Sequence, residues 1–148
     1  MGAGRHMSEV FEYQRRVEFR DTDMAGIVHF SVFFAYMEEA EHAFLKSLGL
    51  AVFSEHGGQE ISWPRVAAQC NYRSAIRFED ELVIQLSVQR IGEKSVTYHH
   101  EIRSGENLVA DGTITTVCCE IEHGKRPQSI AIPDHFVNAF KPYATQSQ

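Results

Sequence analysis

The chain has 148 residues, of which 43% are hydrophobic and 23% charged, and its formal net charge at pH 7 is -6. A chain of this length fits one domain and buries roughly two thirds of the surface that it exposes when unfolded. The composition is ordinary for a globular protein and gives no sign of disorder or of a fibrous repeat. The negative charge and the absence of a basic stripe argue against nucleic-acid binding, because such binding needs positive charge opposite the phosphates.

The first residues and the cysteines bear on the cellular compartment. Residues 1–7 (MGAGRHM) contain no apolar run and read as an expression scar, so we expect neither a signal peptide nor a membrane span. Cys70, Cys118 and Cys119 form neither an even disulfide framework nor a spaced set of zinc ligands. We therefore predict a reduced, cytoplasmic protein without a metal site.

The first part of the chain predicts a strand followed by a helix. Residues 10–19 (VFEYQRRVEF) are rich in aromatic and β-branched residues in partial alternation, which is typical of a strand. Residues 30–48 carry apolar side chains at steps of three and four, the pattern of one helical face, and Gly49 follows as a plausible C-cap. Residues 51–58 could form a short helix that ends at the break Gly57-Gly58.

After Trp63-Pro64, which indicates an edge strand or a bulge, the hydrophobic period changes to two. Alternation over residues 66–72, 82–88 and 96–102, and a run rich in Val, Ile and Thr over residues 108–121, predict about four strands joined by short turns. Pro133 is expected to open a terminal helix through Phe140. We predict an α+β fold, a curved antiparallel sheet wrapped around one long central helix, in a single domain over residues 8–143 with a tail over residues 144–148.

Chemical groups concentrate in FRDTDMAGIVHF, residues 19–30, between the first strand and the helix. A helix N-terminus offers backbone N–H groups that have no partner inside the helix, and its dipole adds partial positive charge, so it can polarise a carbonyl. Gly26 would let the chain turn tightly, and a carboxylate of Asp21 or Asp23 could then act as general base or nucleophile. The residues Asp21-Thr22-Asp23 could equally be turn and N-cap residues, since Asp and Thr are favoured there.

Residues 16–50 closely resemble the signature region of the 4-hydroxybenzoyl-CoA thioesterase family, within the hotdog superfamily. That family shows an Asp, two variable residues, a Gly, an Ile or Val, a Val, an aromatic residue or His, and then an aromatic-rich acidic helix. The positions are filled here by Asp23, Gly26, Ile27, Val28, His29 and Phe30. Residues 76–102, the Lys94-Ser95 pair and Ala110-Asp111-Gly112 match the family more loosely.

The resemblance implies a hotdog fold and hydrolysis of an acyl-CoA thioester to the free acid and CoA, without a metal or another cofactor. It implies that Asp23 is the catalytic carboxylate and that the backbone N–H of Phe30 polarises the thioester carbonyl. It also implies a homodimer or homotetramer with active sites at the subunit interface, and places Gly26, Ile27 and Val28 at the substrate.

The role of His29 stays open at this point. Related bacterial acyl-CoA thioesterases carry a His one position later, where this chain has Phe30. His29 is therefore either a catalytic group, suited to proton transfer near neutral pH, or a packed residue that positions water or the carboxylate.

Two further assignments concern residues outside that segment. A Glu on the helix attacks the thioester in another branch of the superfamily, so Glu38 and Glu39 are candidates, although both could belong to a solvated helix face. Arg90 and Lys94 flank a turn between strands and, together with Ser95, could contact the phosphates of CoA.

Two other functions compete with hydrolysis. A hotdog hydratase or dehydratase would use an Asp and a His together, but its motif carries an Asn-Pro segment and closer spacing, whereas Met-Ala-Gly-Ile-Val lies between Asp23 and His29. A non-catalytic protein that binds acyl-CoA or fatty acid could use the same groove. Asp23 disfavours that function, because a carboxylate against an apolar ligand is costly.

Overall fold

The computed structural model describes residues 8–145, so the predicted expression scar at residues 1–7 lies outside the described residues. The strands are β1 (Phe11–Arg16), β2 (Ser54–His56), β3 (Gln59–Ser62), β4 (Arg65–Tyr72), β5 (Glu81–Ile91), β6 (Ser95–Ser104), β7 (Asn107–Val117), β8 (Cys119–Ile121) and β9 (Gln128–Ser129). The helices are α1 (Val32–Ser47) and α2 (Asp134–Phe140), with 3-10 turns at Phe19–Asp21 and Lys141–Tyr143. Over this part of the chain, no helix has the length and apolar character needed to cross a membrane.

The main sheet is antiparallel and has the strand order β1-β5-β6-β7-β4. Side chains on β5, β6 and β7 alternate between buried and partly buried positions, as the period of two predicted. Their buried side chains face the core with those of α1. β4 lies at one edge, pairs with β7, and leaves most of its residues exposed. A register shift between Arg65 and Ala67 agrees with the bulge expected next to Trp63-Pro64.

Helix α1 packs on this sheet against β1, β4 and β5. Its buried apolar side chains are those of the predicted helical face, among them Phe33, Tyr36, Met37 and Phe44. Gly49 adopts a φ of 74° just beyond the helix, and its N–H donates to the carbonyl of Lys46, as expected of a C-cap.

The prediction of one long central helix needs correction. α1 has 16 residues and is shorter than the predicted span of residues 30–48, because the chain before Val32 is used in loop hydrogen bonds instead of helical ones. The strands described form two sheets, the second with the order β2-β3-β8-β9. The broader prediction, an α+β fold with antiparallel strands, is confirmed.

The expected short helix at residues 51–58 is wrong, because this segment enters a β-hairpin. Gly57 and Gly58 take φ values of 60° and 82°, and two consecutive positive φ values suit the tight turn that joins β2 to β3. The run over residues 108–121 is likewise divided, with Cys118 between β7 and β8. The terminal helix is present as α2, and Phe136 and Phe140 pack it against Trp63.

Candidate active site

The loop from Thr22 to Val28 connects the first 3-10 turn to the segment before α1, and backbone hydrogen bonds hold it closed. The N–H of Asp23 donates to the carbonyl of Ile27 at 2.9 Å, and that of Gly26 donates to the carbonyl of Asp23 at 2.9 Å. Gly26 has a φ of 80°, a conformation that L side chains rarely adopt, so the tight turn needs a glycine there. The N–H of Val28 donates to the carbonyl of Ile76 at 2.8 Å and attaches the loop to the segment before β5.

The two carboxylates of this loop have different surroundings. Asp21 is buried, and its Oδ2 accepts hydrogen bonds of 2.9 Å from the phenol of Tyr36 and 2.9 Å from the N–H of Glu18. Asp23 is partly exposed, and its Oδ1 accepts 2.8 Å from the N–H of Ala25. The Oδ2 of Asp23 accepts no hydrogen bond from any residue between 8 and 145. Asp21 is therefore a structural group, and Asp23 offers a carboxylate oxygen for chemistry.

Asp23 lies in a cleft of about 400 Å³ whose wall is formed by the loop, the start of α1 and the segment after β4. Phe30, Phe33 and Tyr72 supply aromatic surface to this cleft, and Ile27 and Val28 add aliphatic surface. The backbone N–H of Phe30 donates to no residue in the described part of the chain. Asp23, with a free carboxylate oxygen, and Phe30, with an unused N–H, therefore line one mostly apolar cleft. Groups of these two kinds can activate water or attack a carbonyl and stabilise the charge that forms on its oxygen.

The cleft also has a fixed polar rim. Arg73 lines it and is held by Asp111 through bonds of 2.6 Å and 2.7 Å, while Asn71 donates 2.9 Å to the same carboxylate. The hydrogen bond from Asn71 and the contact with Arg73 lower the pKa of Asp111 from its usual value. The positive charge of Arg73 is therefore already paired with the carboxylate of Asp111.

His29 is not among the residues that line the cleft, although its ring lies 4.7 Å from the ring of Phe30, which does. Its side chain is exposed, and its Nδ1 lies 2.7 Å from Oγ of Ser31 and accepts a 3.3 Å hydrogen bond from the N–H of Ser31. Its backbone N–H donates to the carbonyl of Asp21 at 2.9 Å. The described contacts of His29 are thus local ones at the start of α1, and a catalytic role for its ring stays a prediction.

The helix carboxylates Glu38 and Glu39 are engaged by arginines. Glu39 accepts 2.8 Å from Nε of Arg15, and Glu38 accepts 3.2 Å from Arg65. Neither lines the cleft around Asp23. The positions of Glu38 and Glu39 therefore favour ion pairing at the helix surface over a nucleophilic attack on the substrate.

The predicted CoA contacts Arg90, Lys94 and Ser95 lie at the far end of the sheet within one protomer. β5 begins near the cleft and runs for 11 residues, so Arg90 lies on the order of 30 Å along the strand from its start. Lys94 and Ser95 follow at the turn into β6, where the carbonyl of Lys94 accepts from the N–H of Cys118. The chain therefore does not bring these three residues to its own Asp23, and their role stays a prediction.

Several residues around the site were not predicted from the sequence. Tyr72, Arg73 and Ile76 join the cleft because the segment after β4 returns to the loop, which no local pattern signals. Arg15 and Tyr36 meet Asp21 from β1 and α1. The sequence did contain one signal for this contact. Tyr36 lies on the apolar face of the predicted helix, and a buried tyrosine hydroxyl usually needs a hydrogen-bond partner.

A family model described as the thioesterase-like superfamily matches residues 17–140, which contain the loop, α1 and every strand except β1. The chain belongs to this superfamily. The resemblance found in the loop is thereby confirmed at the family level, as is the prediction of a hydrolase of the thioesterase class.

Several named relatives and solved structures are similar to this chain along most of their length. The 1,4-dihydroxy-2-naphthoyl-CoA hydrolase of Synechococcus sp. strain CC9605 is 30% identical over 128 residues, covering 83% of this chain and 84% of that protein. The solved gentisyl-coenzyme A thioesterase BH1999 is 31% identical, with a TM-score of 0.77 over 87% of this chain and 98% of its own. The 1,4-dihydroxy-2-naphthoyl-CoA thioesterase Slr0204 from Synechocystis shares the fold, with 24% identity and a TM-score of 0.77 over 90% of this chain and 96% of its own.

Proposed function

We propose that this chain hydrolyses an acyl-CoA thioester to the free acid and CoA. Asp23 acts as general base or nucleophile, and the backbone N–H of Phe30 polarises the thioester carbonyl. No cofactor is needed for this reaction, since a carboxylate and a hydrogen-bond donor suffice to add water or the carboxylate itself across the carbonyl.

The observation that carries the proposal is the meeting of these two groups in one cleft. The Oδ2 of Asp23 and the N–H of Phe30 make no hydrogen bond within residues 8–145, and both residues line the same cleft. One of these groups is a free acceptor and the other a free donor. Attack on a carbonyl needs both, the acceptor to take a proton or attack the carbon and the donor to stabilise the charge on the oxygen.

The acyl group that we propose is aromatic. The relatives with about 30% identity are named for a naphthoyl-CoA and for a gentisyl-coenzyme A. Phe30, Phe33 and Tyr72 line the cleft with aromatic rings, and Phe33 meets Tyr72 edge-on at 5.0 Å. Such rings favour a further aromatic ring in offset or edge contact.

We further propose that the active form is a homodimer or homotetramer located in the cytoplasm. β4 exposes its outer edge and carries Val66 at 60% and Tyr72 at 46% exposure, and unpaired strand edges invite pairing with another chain. Phe30, which forms part of the cleft, is 64% exposed. A second copy along β4 would cover these apolar groups, and it would also offer its own Arg90, Lys94 and Ser95 as candidates for the CoA phosphates.

Thiol release from benzoyl-CoA, naphthoyl-CoA, hexanoyl-CoA and palmitoyl-CoA tests the reaction. We expect the aromatic thioesters to be hydrolysed fastest and Asp23→Asn to lower kcat by about 100-fold to 10,000-fold, because it removes the group that transfers the proton or attacks. Asp134→Asn, an exposed aspartate on α2, is the matched control and should retain wild-type turnover. Absence of release from every thioester, or full activity in Asp23→Asn, would reject this mechanism. Binding of benzoyl-CoA without turnover would instead support the non-catalytic acyl-binding function.

A further inference from the structure

The buried carboxylate of Asp21 lies at the base of the loop that carries Asp23. We infer that Arg15, Asp21 and Tyr36, here named the Asp21 clamp, are positioning residues. They fix the position of the carboxylate of Asp23 relative to the N–H of Phe30. This inference rests on the function proposed for Asp23. The three residues come from β1, the 3-10 turn and α1, so the clamp joins three separate elements at the base of the catalytic loop.

The clamp is dense in donors. Oδ2 of Asp21 accepts 2.9 Å from the phenol of Tyr36 and lies 3.3 Å from Nη1 of Arg15. The N–H of Glu18 donates a further 2.9 Å to the same oxygen. Two hydrogen bonds and one ion pair on one oxygen of a carboxylate that is 6% exposed fix its position strongly, since hydrogen bonds to a charged group are about twice as strong as neutral ones.

The same residue anchors the loop through its backbone. The carbonyl of Asp21 accepts 2.9 Å from the N–H of His29, which precedes Phe30 directly. Thr22 and Val28 form an antiparallel bridge just inside that bond, and Asp23 is bonded to Ile27 within it. Moving Asp21 would therefore shift both ends of the loop, on one side Asp23 and on the other the peptide that carries the N–H of Phe30.

Tyr36 is suited to act as a permanent donor in this arrangement. Burial, followed by its bond to Asp21, raises the pKa of Tyr36 well above its usual value, so the phenol keeps its proton at any working pH. The guanidinium of Arg15 lies 5.1 Å from the centre of the same ring, and its Nε donates 2.8 Å to Glu39 on α1. The helix that supplies Tyr36 thus also fixes Arg15.

Tyr36→Phe tests the clamp, because it retains the ring and removes one donor to Asp21. Tyr98→Phe is the matched control: Tyr98 is equally buried, but it packs against Phe44 in a different part of the core. The backbone amides of Asp23, Gly26, Val28 and His29 all donate within or around the loop, so their hydrogen exchange measures whether the loop is held.

We expect these four amides to exchange about tenfold faster in Tyr36→Phe and at the wild-type rate in Tyr98→Phe. With benzoyl-CoA, kcat should fall about tenfold in Tyr36→Phe while KM stays within about twofold, since the loss concerns the reacting groups and not the binding wall. If Tyr36→Phe does not fold, Asp21→Asn, which retains the size of the side chain, serves for the same two measurements.

Wild-type exchange at the four amides of Tyr36→Phe, or equal acceleration in Tyr98→Phe, would overturn the clamp. A fall in kcat matched by an equal rise in KM for both tyrosine variants would do so as well, because that result reports general destabilisation. The exchange measurement needs no turnover, so failure of the clamp and failure of the thioesterase function give different results: the latter leaves exchange altered and the wild type inactive.

Discussion

The phenol of Tyr72 donates a 2.9 Å hydrogen bond to the backbone oxygen of Phe30, and so connects the end of the edge strand β4 to the segment before α1. The ring of Tyr72 also meets Phe33, in the first turn of that helix. One side chain therefore contacts two of the aromatic residues of the cleft, and it links the sheet edge where a second copy would bind to the residue whose N–H is proposed to polarise the carbonyl.

Tyr72→Phe should lower turnover with little loss of stability. The variant retains the ring contact with Phe33 and loses the bond to Phe30, which lets the N–H of Phe30 sample other orientations. Because Tyr72 is 46% exposed, water replaces the lost partner and the free energy of unfolding should change by less than ~1 kcal/mol. We expect kcat for benzoyl-CoA to fall by about threefold to tenfold. Tyr143→Phe, whose ring packs on Phe44 away from the cleft, is the control, and equal turnover in both variants would contradict the role of the Tyr72 bond.

Gly112 is required for the close packing of α1 on the sheet. A Cβ at this position would overlap the backbone oxygen of Gln69 on the neighbouring strand β4 and would lie 2.8 Å from Cε of Met37 on α1. The obstruction by backbone cannot be relieved by a rotamer change. Gly112→Ala should therefore lower the free energy of unfolding by about 3 kcal/mol or prevent folding, measured by urea denaturation.

Gly92→Ala provides the matched comparison for Gly112→Ala. A Cβ at Gly92 would approach only Oγ of Ser95 closely, at 3.0 Å, and that atom ends a side chain that can rotate. We expect a loss of no more than about 1 kcal/mol. If both variants are equally stable, the packing at Gly112 is looser than the contact with Gln69 indicates.

The elements with a strong period were predictable from the sequence, and those set by turns were not. α1 and the strands β5, β6 and β7 follow from apolar spacing of 3.6 and 2, because each buries one face. The hairpin of β2 and β3 was missed, since short strands carry little periodic signal and the pair Gly57-Gly58 was interpreted as a break instead of a turn. The pairing of β4 with β7 is a long-range contact that no local pattern contains.

The candidate site divides in the same way. Asp23, Gly26 and Phe30 lie within one continuous segment, so a motif could locate them. Tyr72 and Arg73 reach the cleft through tertiary contacts and have no local signature. The resemblance to the family singled out Asp23, but the physical difference between Asp21 and Asp23 arises from the burial of Asp21 and its bond to Tyr36, which no local pattern contains.

An ion pair joins Glu41, a buried residue of α1, to Arg65, a partly exposed residue at the start of β4. Glu41 is 1% exposed, and its Oε2 accepts 2.7 Å from Arg65, whose Nη2 also lies 3.2 Å from Glu38. Burial raises the pKa of Glu41, while Arg65 opposes that rise. Arg65→Met should lower the free energy of unfolding at pH 7 by about 3 kcal/mol or more, because it leaves an uncompensated carboxylate in the core.

The double variant Arg65→Met, Glu41→Leu shows whether that loss comes from the unpaired charge. We expect it to recover most of the stability, since an apolar pair of similar volume replaces the ions. Lys125→Met, which breaks an exposed pair with Glu122, should change stability by less than ~0.5 kcal/mol and serves as the control. A double variant as unstable as Arg65→Met would show that the loss comes from packing of the arginine stem.

His100 is fully buried on β6, and neither ring nitrogen has a hydrogen-bond partner among residues 8–145. Burial, and then the neighbouring His99, lower the pKa of His100 to about 3. In the unfolded chain the ring titrates near its usual value of about 6.5. Between these values the unfolded state binds a proton that the folded state does not, so stability rises with pH across this window and falls as the solution is acidified.

His100→Leu should therefore flatten the acid side of the stability profile. A single such group gives a slope that approaches about 1.4 kcal/mol per pH unit below pH 6.5, so between pH 6.5 and pH 5 the wild type should lose ~1.6 kcal/mol more than the variant. At pH 7 the two proteins should differ by no more than about 1 kcal/mol, because the leucine fills a similar volume and removes two unpaired nitrogens. Urea denaturation at a series of pH values measures both effects, with His42→Gln, an exposed position on α1, as the control that retains the wild-type slope. Parallel profiles for His100→Leu and the wild type would show that His100 takes up its proton without unfolding the chain.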